Sequence, residues 1–348
     1  TIHRGTQLGT ADLWEDVIIV DESSMLNLET MSMLLRCIRN DNVRVIFLGD
    51  IIQLPPIGLG CIFRELINSE KVPICTLTKV FRFSSSDMMK VTTLARQGET
   101  YLNQIDNAED DDYKFIPFNE STAQIIDTYM DYIKAGIPMD EIVVLTPRNV
   151  GEYGTYNINN LIQKAVNPIM DNEKCFKHII DRKEIRFHIN DLVLVTKNNY
   201  NMLNWKSYDE LDFDDELSKD DMPKTAIFNG EIGKVIGFEK NAMKVSIDDE
   251  IIMFYNDDVQ NLLLGYCTTI YKFQGSQINY PIVLTITEHK NQLNKNLLYT
   301  NLSRGQKKLI EIADKGAIEY ALNTKVLNDK QNKICTMIRE GINDGQTT

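Results

Sequence analysis

Apolar residues fall in short blocks along this chain, and the spacing within each block predicts its element. Val17–Val20 and Val43–Leu48 are brief and β-branched, the pattern of strands buried on both faces of a parallel sheet. Between them Leu28, Met31, Leu34, Leu35 and Ile38 recur at helical spacing, so the segment reads strand–helix–strand. A helix with Ile62, Phe63, Leu66 and Ile67 follows, then a strand ending Thr78-Lys79-Val80-Phe81-Arg82. Serines 84–86 are placed to start a helix that Gly98 ends, and this stretch reads as the hinge into a second domain. Residues 119–168 form another α/β unit. There a helix with Ile125, Ile126, Tyr129, Met130 and Ile133 stops at Gly136, and strand Ile142–Leu145 runs into Thr146-Pro147-Arg148. A further helix holds Leu161, Ile162 and Val166 before Pro168.

From about 187 to 260 the period changes to short alternating strands: Leu192–Thr196, Glu231–Phe238, Met243–Ile247 and Ile251–Tyr255. Asn229-Gly230, Gly233 and Gly237 mark the turns and bends of a small β-barrel-like insert. The α/β pattern then returns, with strands Ile282–Ile286 and Leu309–Ala313.

Composition narrows this picture in three ways. A chain of 348 residues, 43% hydrophobic and 25% charged, suits two or three domains with real cores. No apolar run reaches the length of a membrane span and no basic–apolar start resembles a signal peptide. The six cysteines (37, 61, 75, 175, 267 and 335) form no CxxC, and they read as core thiols of a reducing, cytoplasmic compartment. The net charge of −13 sits in two runs: residues 209–221 hold −7 and residues 106–112 hold −5. The remainder is close to neutral, so any bases that meet a polyanion are sparse and placed.

The chemistry lies where the strands end. Asp21-Glu22-Ser23-Ser24 follows the first strand, and Gly49-Asp50 and then Gln53 follow the second. In an open α/β sheet ligands sit outside the carboxyl ends of the strands, and adjacent carboxylates there suit a hydrated Mg²⁺ that also binds substrate phosphates. An acidic loop after a core strand is the bland reading of Asp21-Glu22 alone, and Gln53 weighs against it. Arg82, just past a strand, is a candidate phosphate contact, as Thr146 and Arg148 are for a nucleic-acid phosphate. Residues 265–277 offer Thr, Lys, Gln and Gly donors, and Arg304 ends a helix beside Gly305. No GxxxxGK[ST] occurs, so the strand-end acids read as half of a nucleotide site. The start at Thr1, without Met, reads as a fragment whose missing front would carry that loop.

DESSM, GDIIQLPPIGLG, VFR, TIYKFQGS and LYTNLSRGQKKL stand in the order and spacing of superfamily 1 helicase motifs II to VI. Their wording resembles RecD-like helicases of the 5′-to-3′ branch (superfamily 1B), over about residues 1–313. LTPRNVGEYGTYNINNLIQ and DLVLVTKNNY…FNGEIG are similar too, the latter within an SH3-like insert. The resemblance implies an α/β fold of two RecA-like P-loop-NTPase motor domains, the first incomplete, with a small SH3-like β-barrel inserted in the second. Expected boundaries are 1–85, 86–186, 187–260 (with an acidic loop at 200–226) and 261–348, the last including a C-terminal tail.

The resemblance also implies roles. Asp21 would hold Mg²⁺ with Glu22, Glu22 would orient the attacking water, and Gln53 would sense the γ-phosphate of ATP. Arg82 and Arg304 would reach that phosphate, with Gln274, Gly275, Gly49 and Asp50 on the nucleotide. Thr146, Arg148, Thr268, Thr269, Lys272, Asn199 and Tyr200 would meet DNA. Tyr271 stands where these helicases often have His, and Gln277 where Glu is common, which removes a charge near the expected nucleotide position. The implied function is an ATP-dependent DNA helicase acting on single-stranded DNA or a single-strand/duplex junction in repair or recombination, with a nuclease or repair partner. These residues alone are expected to lack ATPase activity. The rival is a non-catalytic DNA-binding or partner-docking module derived from such a motor; the helicase part of a conjugative relaxase is a weaker alternative.

Overall fold

The computed structural model describes residues 12–77, 87–105, 111–168, 175–180, 183–205, 223–239, 241–324 and 334–340. Arg82, its expected strand end 78–82, serines 84–86, and the acidic runs at 106–110 and 206–222 lie outside the described residues.

In the first domain β1 (Val17–Val20) and β2 (Arg44–Phe47) pair in parallel, Val17 opposite Arg44 and Val20 opposite Phe47. Helix α1 (Leu28–Cys37) joins them, its first turn capped by Asn27, whose side chain accepts from the Thr30 amide. Met31 and Leu34 of α1 and Ile62 of α2 (Ile62–Ser69) close over Val20 and Leu26 in a small core. The expected two-faced burial is not found. Val17, Ile19, Ile46 and Leu48 are 44–63% exposed, while Val20 is buried. Among the described residues the helices of this domain cover one face of the pair, and the period-2 alternation of a strand then leaves every second side chain uncovered.

The second domain begins with α3 (Asp87–Gln97), whose end is the expected Gly98 at φ 80°. It continues through β3 (Tyr113–Pro117), α4 (Thr122–Lys134), β4 (Ile142–Thr146) and α5 (Thr155–Val166). A hairpin, β5 (Phe176–Ile180) and β6 (Lys183–Phe187), leads to strands β7 (Leu192–Val195), β8 (Asn199–Asn204) and β9 (Lys224–Ile227). Next come β10 (Ile232–Phe238), β11 (Ala242–Ile247), β12 (Glu250–Tyr255) and β13 (Leu262–Leu264). The chain then returns to the α/β layer with β14 (Cys267–Thr269), β15 (Tyr280–Thr285), α6 (Lys295–Leu302), β16 (Leu309–Ala313) and α7 (Lys315–Asn323).

Five parallel strands in the order β14-β4-β15-β16-β3 make the central sheet. Every residue of β4 is buried, as a strand covered on both faces requires. Two of the five were not read from the sequence. Tyr113–Pro117 follows an acidic run, and Cys267–Thr269 is mostly polar; both are edge strands, which need less apolar length than central ones. The α7 helix, within the stretch read as running into a tail, buries Ala317, Ile318, Ala321 and Leu322 in the same core. A last helix, α8 (Ile334–Glu340), packs back against α2 of the first domain.

The insert is an antiparallel seven-stranded sheet in the order β13-β7-β10-β11-β12-β8-β9, reaching Leu264 rather than stopping near 260. A register shift between Val235 and Gly237 marks the bend that the glycines predicted. Buried Asp191 moors the insert: it accepts from the His188 amide, Asn167 Nδ2 and Tyr266 Oη, and from Gln163 of α5. Cysteine placement corrects one expectation. Cys267 is a buried core thiol, whereas Cys75 is exposed and Cys37, Cys61, Cys175 and Cys335 are half-buried on the smaller elements.

Candidate nucleotide cleft and nucleic-acid face

The turn after β1 carries the acidic pair. Glu22 adopts the left-handed conformation (φ 49°, ψ 39°), uncommon for a side chain other than Gly, and its amide donates to Asp21 Oδ1 at 2.7 Å. Ser23 Oγ donates back to the Val20 carbonyl and the Ser23 amide to the Leu48 carbonyl, so the turn is tied to the end of β2. Gly49 allows that approach: a Cβ there would lie 2.9 Å from the Ser24 amide nitrogen and 3.1 Å from the Phe63 ring. Asp21 is exposed and Glu22 half-buried. They fit a Mg²⁺ in part. Among the described residues no three His, Cys, Asp or Glu side chains stand together at metal-holding distance, so phosphate oxygens and water would complete the shell.

The loop after β2, residues 50–54, crosses to the second domain. Gln53 Oε1 accepts from Arg304 Nη2 at 3.4 Å, and Asn296 Nδ2 donates to the Gln53 carbonyl at 3.0 Å. The Leu54 amide donates to Thr300 Oγ1 at 3.0 Å, and Gln274 Nε2 to the Leu54 carbonyl at 3.2 Å. Asp50 Oδ2 accepts from Tyr299 Oη at 2.7 Å, while its Oδ1 faces Arg96 Nη2 at 3.5 Å and accepts from the Ile52 amide. Arg304, at the end of α6, is only 2% exposed. Its guanidinium donates to the carbonyls of Thr300 and Ser276 and to Ser303 Oγ. Gly275, in the same loop as Gln274 and Ser276, is exposed at φ 85°.

Asn296, Tyr299 and Thr300 were not singled out from the sequence, nor was Arg96. The signal was present: positions i, i+3 and i+4 of one helix share a face, and this face meets the 50–54 loop. Only the fold showed which face it was.

The residues expected on nucleic acid divide by exposure. Thr146, Thr268 and Thr269, at the carboxyl ends of β4 and β14, are buried, and Thr146 Oγ1 donates to the Tyr153 carbonyl. Arg148 and Lys272 are partly exposed; Arg148 Nη1 donates to the Glu288 carbonyl at 3.5 Å. Beside Arg148, buried His289 is held down to about 4, by burial first and then by that guanidinium. In the insert, Asn199 Nδ2 donates to Asp258 Oδ1, and Tyr200 packs edge-on against the half-exposed Phe228 ring at 6.1 Å. Among the described residues no helix is long and apolar enough to cross a membrane.

This arrangement, two α/β bodies joined through the 50–54 loop, has relatives. Residues 1–113 match the AAA domain family and residues 264–310 the UvrD-like helicase C-terminal domain family. The Pif1 helicase of Candida albicans shares the fold at TM-score 0.52 and 16% identity, over 87% of this chain and 73% of that one. Bacteroides Pif1 bound to single-stranded DNA does so at TM-score 0.51 and 17% identity, over 87% and 72%. The fold is thus that of RecA-like helicase motor domains.

Within that class, the ATP-dependent RecD2 DNA helicase of Deinococcus radiodurans is 26% identical over 306 residues, 88% of this chain and 37% of that protein. The RecBCD enzyme subunit RecD of Buchnera aphidicola is 23% identical over 327 residues, 84% and 53%. The chain spans between about a third and half of the length of these two relatives. By these matches and its ordered motifs the sequence resembles RecD-like superfamily 1B helicases.

Proposed function

We propose that these residues are most of the motor of an ATP-dependent DNA helicase that moves 5′ to 3′ along single-stranded DNA, in an SF1B arrangement with an SH3-like insert. The observation that carries this reading is the meeting of Gln53 and Arg304 between the two domains, 3.4 Å apart, with the strand-end pair Asp21 and Glu22 in the turn that Ser23 ties to the end of β2. Asp21 with Glu22 would hold Mg²⁺, which neutralises phosphate charge when bound. Glu22 orients the attacking water, and its left-handed backbone fits a residue held for function rather than for stability. Gln53 links the γ-phosphate to the second domain. Arg304, fixed by neutral oxygens, presents its charge to the transition state and is worth about 10³–10⁵ in rate in comparable phosphoryl transfers. Arg82 would be a second such group. Single-stranded DNA or its junction with duplex would run over Arg148, Lys272 and the Tyr200 edge of the insert, with strong salt dependence. The direction of travel and a nuclease or repair partner rest on the RecD likeness.

The 348 residues contain no GxxxxGK[ST], so on their own they are expected to turn over ATP at background level. The second reading, a DNA-binding or docking module without catalysis, predicts background turnover even where a phosphate loop is supplied upstream. In a longer chain that supplies the phosphate loop, Arg304→Ala should lower ATP turnover by about 10³-fold while leaving single-stranded DNA affinity nearly intact, and Arg304→Lys should not restore it. Near-wild-type turnover in both variants would overturn the finger assignment. Absence of turnover in the wild-type longer chain would favour the docking module.

A further inference from the structure

Residues 50–54 touch the second domain at more points than sensing a phosphate requires. Asn296, Tyr299 and Thr300 lie on one face of α6 and meet Gln53, Asp50 and Leu54 in turn. The Asp50 carboxylate already has three partners within the protein, and its side chain is only 18% exposed. One oxygen accepts the Tyr299 hydroxyl, and the other accepts the Ile52 amide and faces the Arg96 guanidinium. A carboxylate would also repel a phosphate. Arg96 lies 5.8 Å over the Tyr299 ring, so the two groups that hold Asp50 also hold each other.

We propose that Tyr299 and Arg96 are positioning residues: acting through Asp50, they latch the 50–54 loop, and with it Gln53, onto the second domain. Asp50 is then a loop anchor, not a nucleotide ligand. The latch sets how far Gln53 stands from Arg304 before any phosphate arrives. Tyr299 contributes a short hydrogen bond to an ionised acceptor, the stronger kind. Arg96, whose side chain is 42% exposed, contributes a screened attraction that salt weakens. The consequence for ATP turnover rests on the helicase reading above; the latch itself does not.

Hydrogen exchange on the 348-residue chain tests it without nucleotide or DNA. Pro55 and Pro56 have no amide hydrogen and the first two positions of a peptide lose their label, so a peptide covering 49–56 reports only Ile51, Ile52, Gln53 and Leu54. Tyr299→Phe should speed exchange in that peptide by about tenfold or more, as loss of a charge-assisted hydrogen bond implies, and leave β15 and β16 unchanged. Arg96→Ala should give a smaller increase that high salt reproduces in the wild type, and Arg96→Lys should recover part of it. Unchanged loop exchange in both Tyr299→Phe and Arg96→Ala, or an equal rise across the central sheet, would overturn the latch. In the longer chain, Tyr299→Phe should lower kcat with little change in the KM for ATP, because it misplaces a group without removing a ligand. If wild-type turnover is absent there, the helicase reading fails while the exchange result still decides the latch.

Discussion

Replacing Glu311 tests whether the second domain's core depends on one buried carboxylate. Glu311 lies on β16, inside the parallel sheet, with no exposed surface. Thr285 Oγ1 donates to it at 2.7 Å, Tyr113 Oη at 2.8 Å, and Tyr101 Oη to both oxygens at 3.0 and 3.1 Å. Glu311→Ala strands three buried hydroxyls. At about 1 kcal/mol or more each, plus the cavity left by the side chain, the loss should reach about 3–5 kcal/mol. The relief of an unfavourably buried charge offsets part of this, which keeps the figure at the low end of what three orphaned groups alone would give. Glu311→Gln preserves the volume and one acceptor and should cost about 1.5 kcal/mol or less at neutral pH.

The pH dependence has a definite sign. Burial raises the Glu311 carboxyl above its ordinary value, against the lowering effect of the three hydroxyls. The folded state therefore binds the proton more tightly than the unfolded chain. Between the ordinary glutamate value and the raised one, stability attributable to Glu311 rises as pH falls, and Glu311→Gln lacks that response. Urea denaturation of the three proteins at several pH values reads both effects. A cost below about 1 kcal/mol for Glu311→Ala, or a wild-type-minus-Gln difference that ignores pH, would refute the argument.

Two further outcomes follow from local geometry. Gly49→Ala should destabilise the first domain by about 1–3 kcal/mol in urea denaturation, because its Cβ meets the Ser24 backbone at 2.9 Å and backbone cannot rotate away; a shift under about 0.5 kcal/mol would contradict this close approach. His289 should stay neutral in an NMR titration until pH approaches 4, and because the unfolded imidazole takes up its proton nearer 6.5, stability should fall as pH drops from 6.5 towards 4. An imidazole that titrates near 6.5 would remove the burial argument.

The local parts of the fold were legible because hydrophobic period is a local property. Helices around Met31, Ile125 and Ile162 and strands at Val17, Ile142 and Ile282 stand within a few residues of where their spacing places them. The change of period near residue 190 marked the insert, since alternating strands and turn glycines do not resemble an α/β unit. The short strand Cys267–Thr269 escaped because an edge strand of three residues, two of them threonine, has too little apolar content to register.

The placement of polar groups at the ends of elements was legible as well. Asp21, Glu22, Gln53 and Arg304 stand out as polar or charged groups at the boundaries of apolar elements, and a parallel sheet sends such boundaries to one edge. Tertiary structure alone decided what faces what. Arg304 reads as a surface residue in one dimension, yet it is buried because α6 docks its end against the 276–278 turn and the Gln53 loop. Glu311, in the run Leu309–Ala313, would face solvent in a one-sided strand. It is interior because its strand has neighbours on both sides and helices on both faces, and three hydroxyls from distant segments converge on it. Val17, Ile19 and Ile46 show the converse: apolar spacing alone cannot tell whether a second layer covers a strand. Period is written in neighbouring residues, whereas burial and partnership depend on segments up to about 250 positions apart, as between Asp50 and Tyr299.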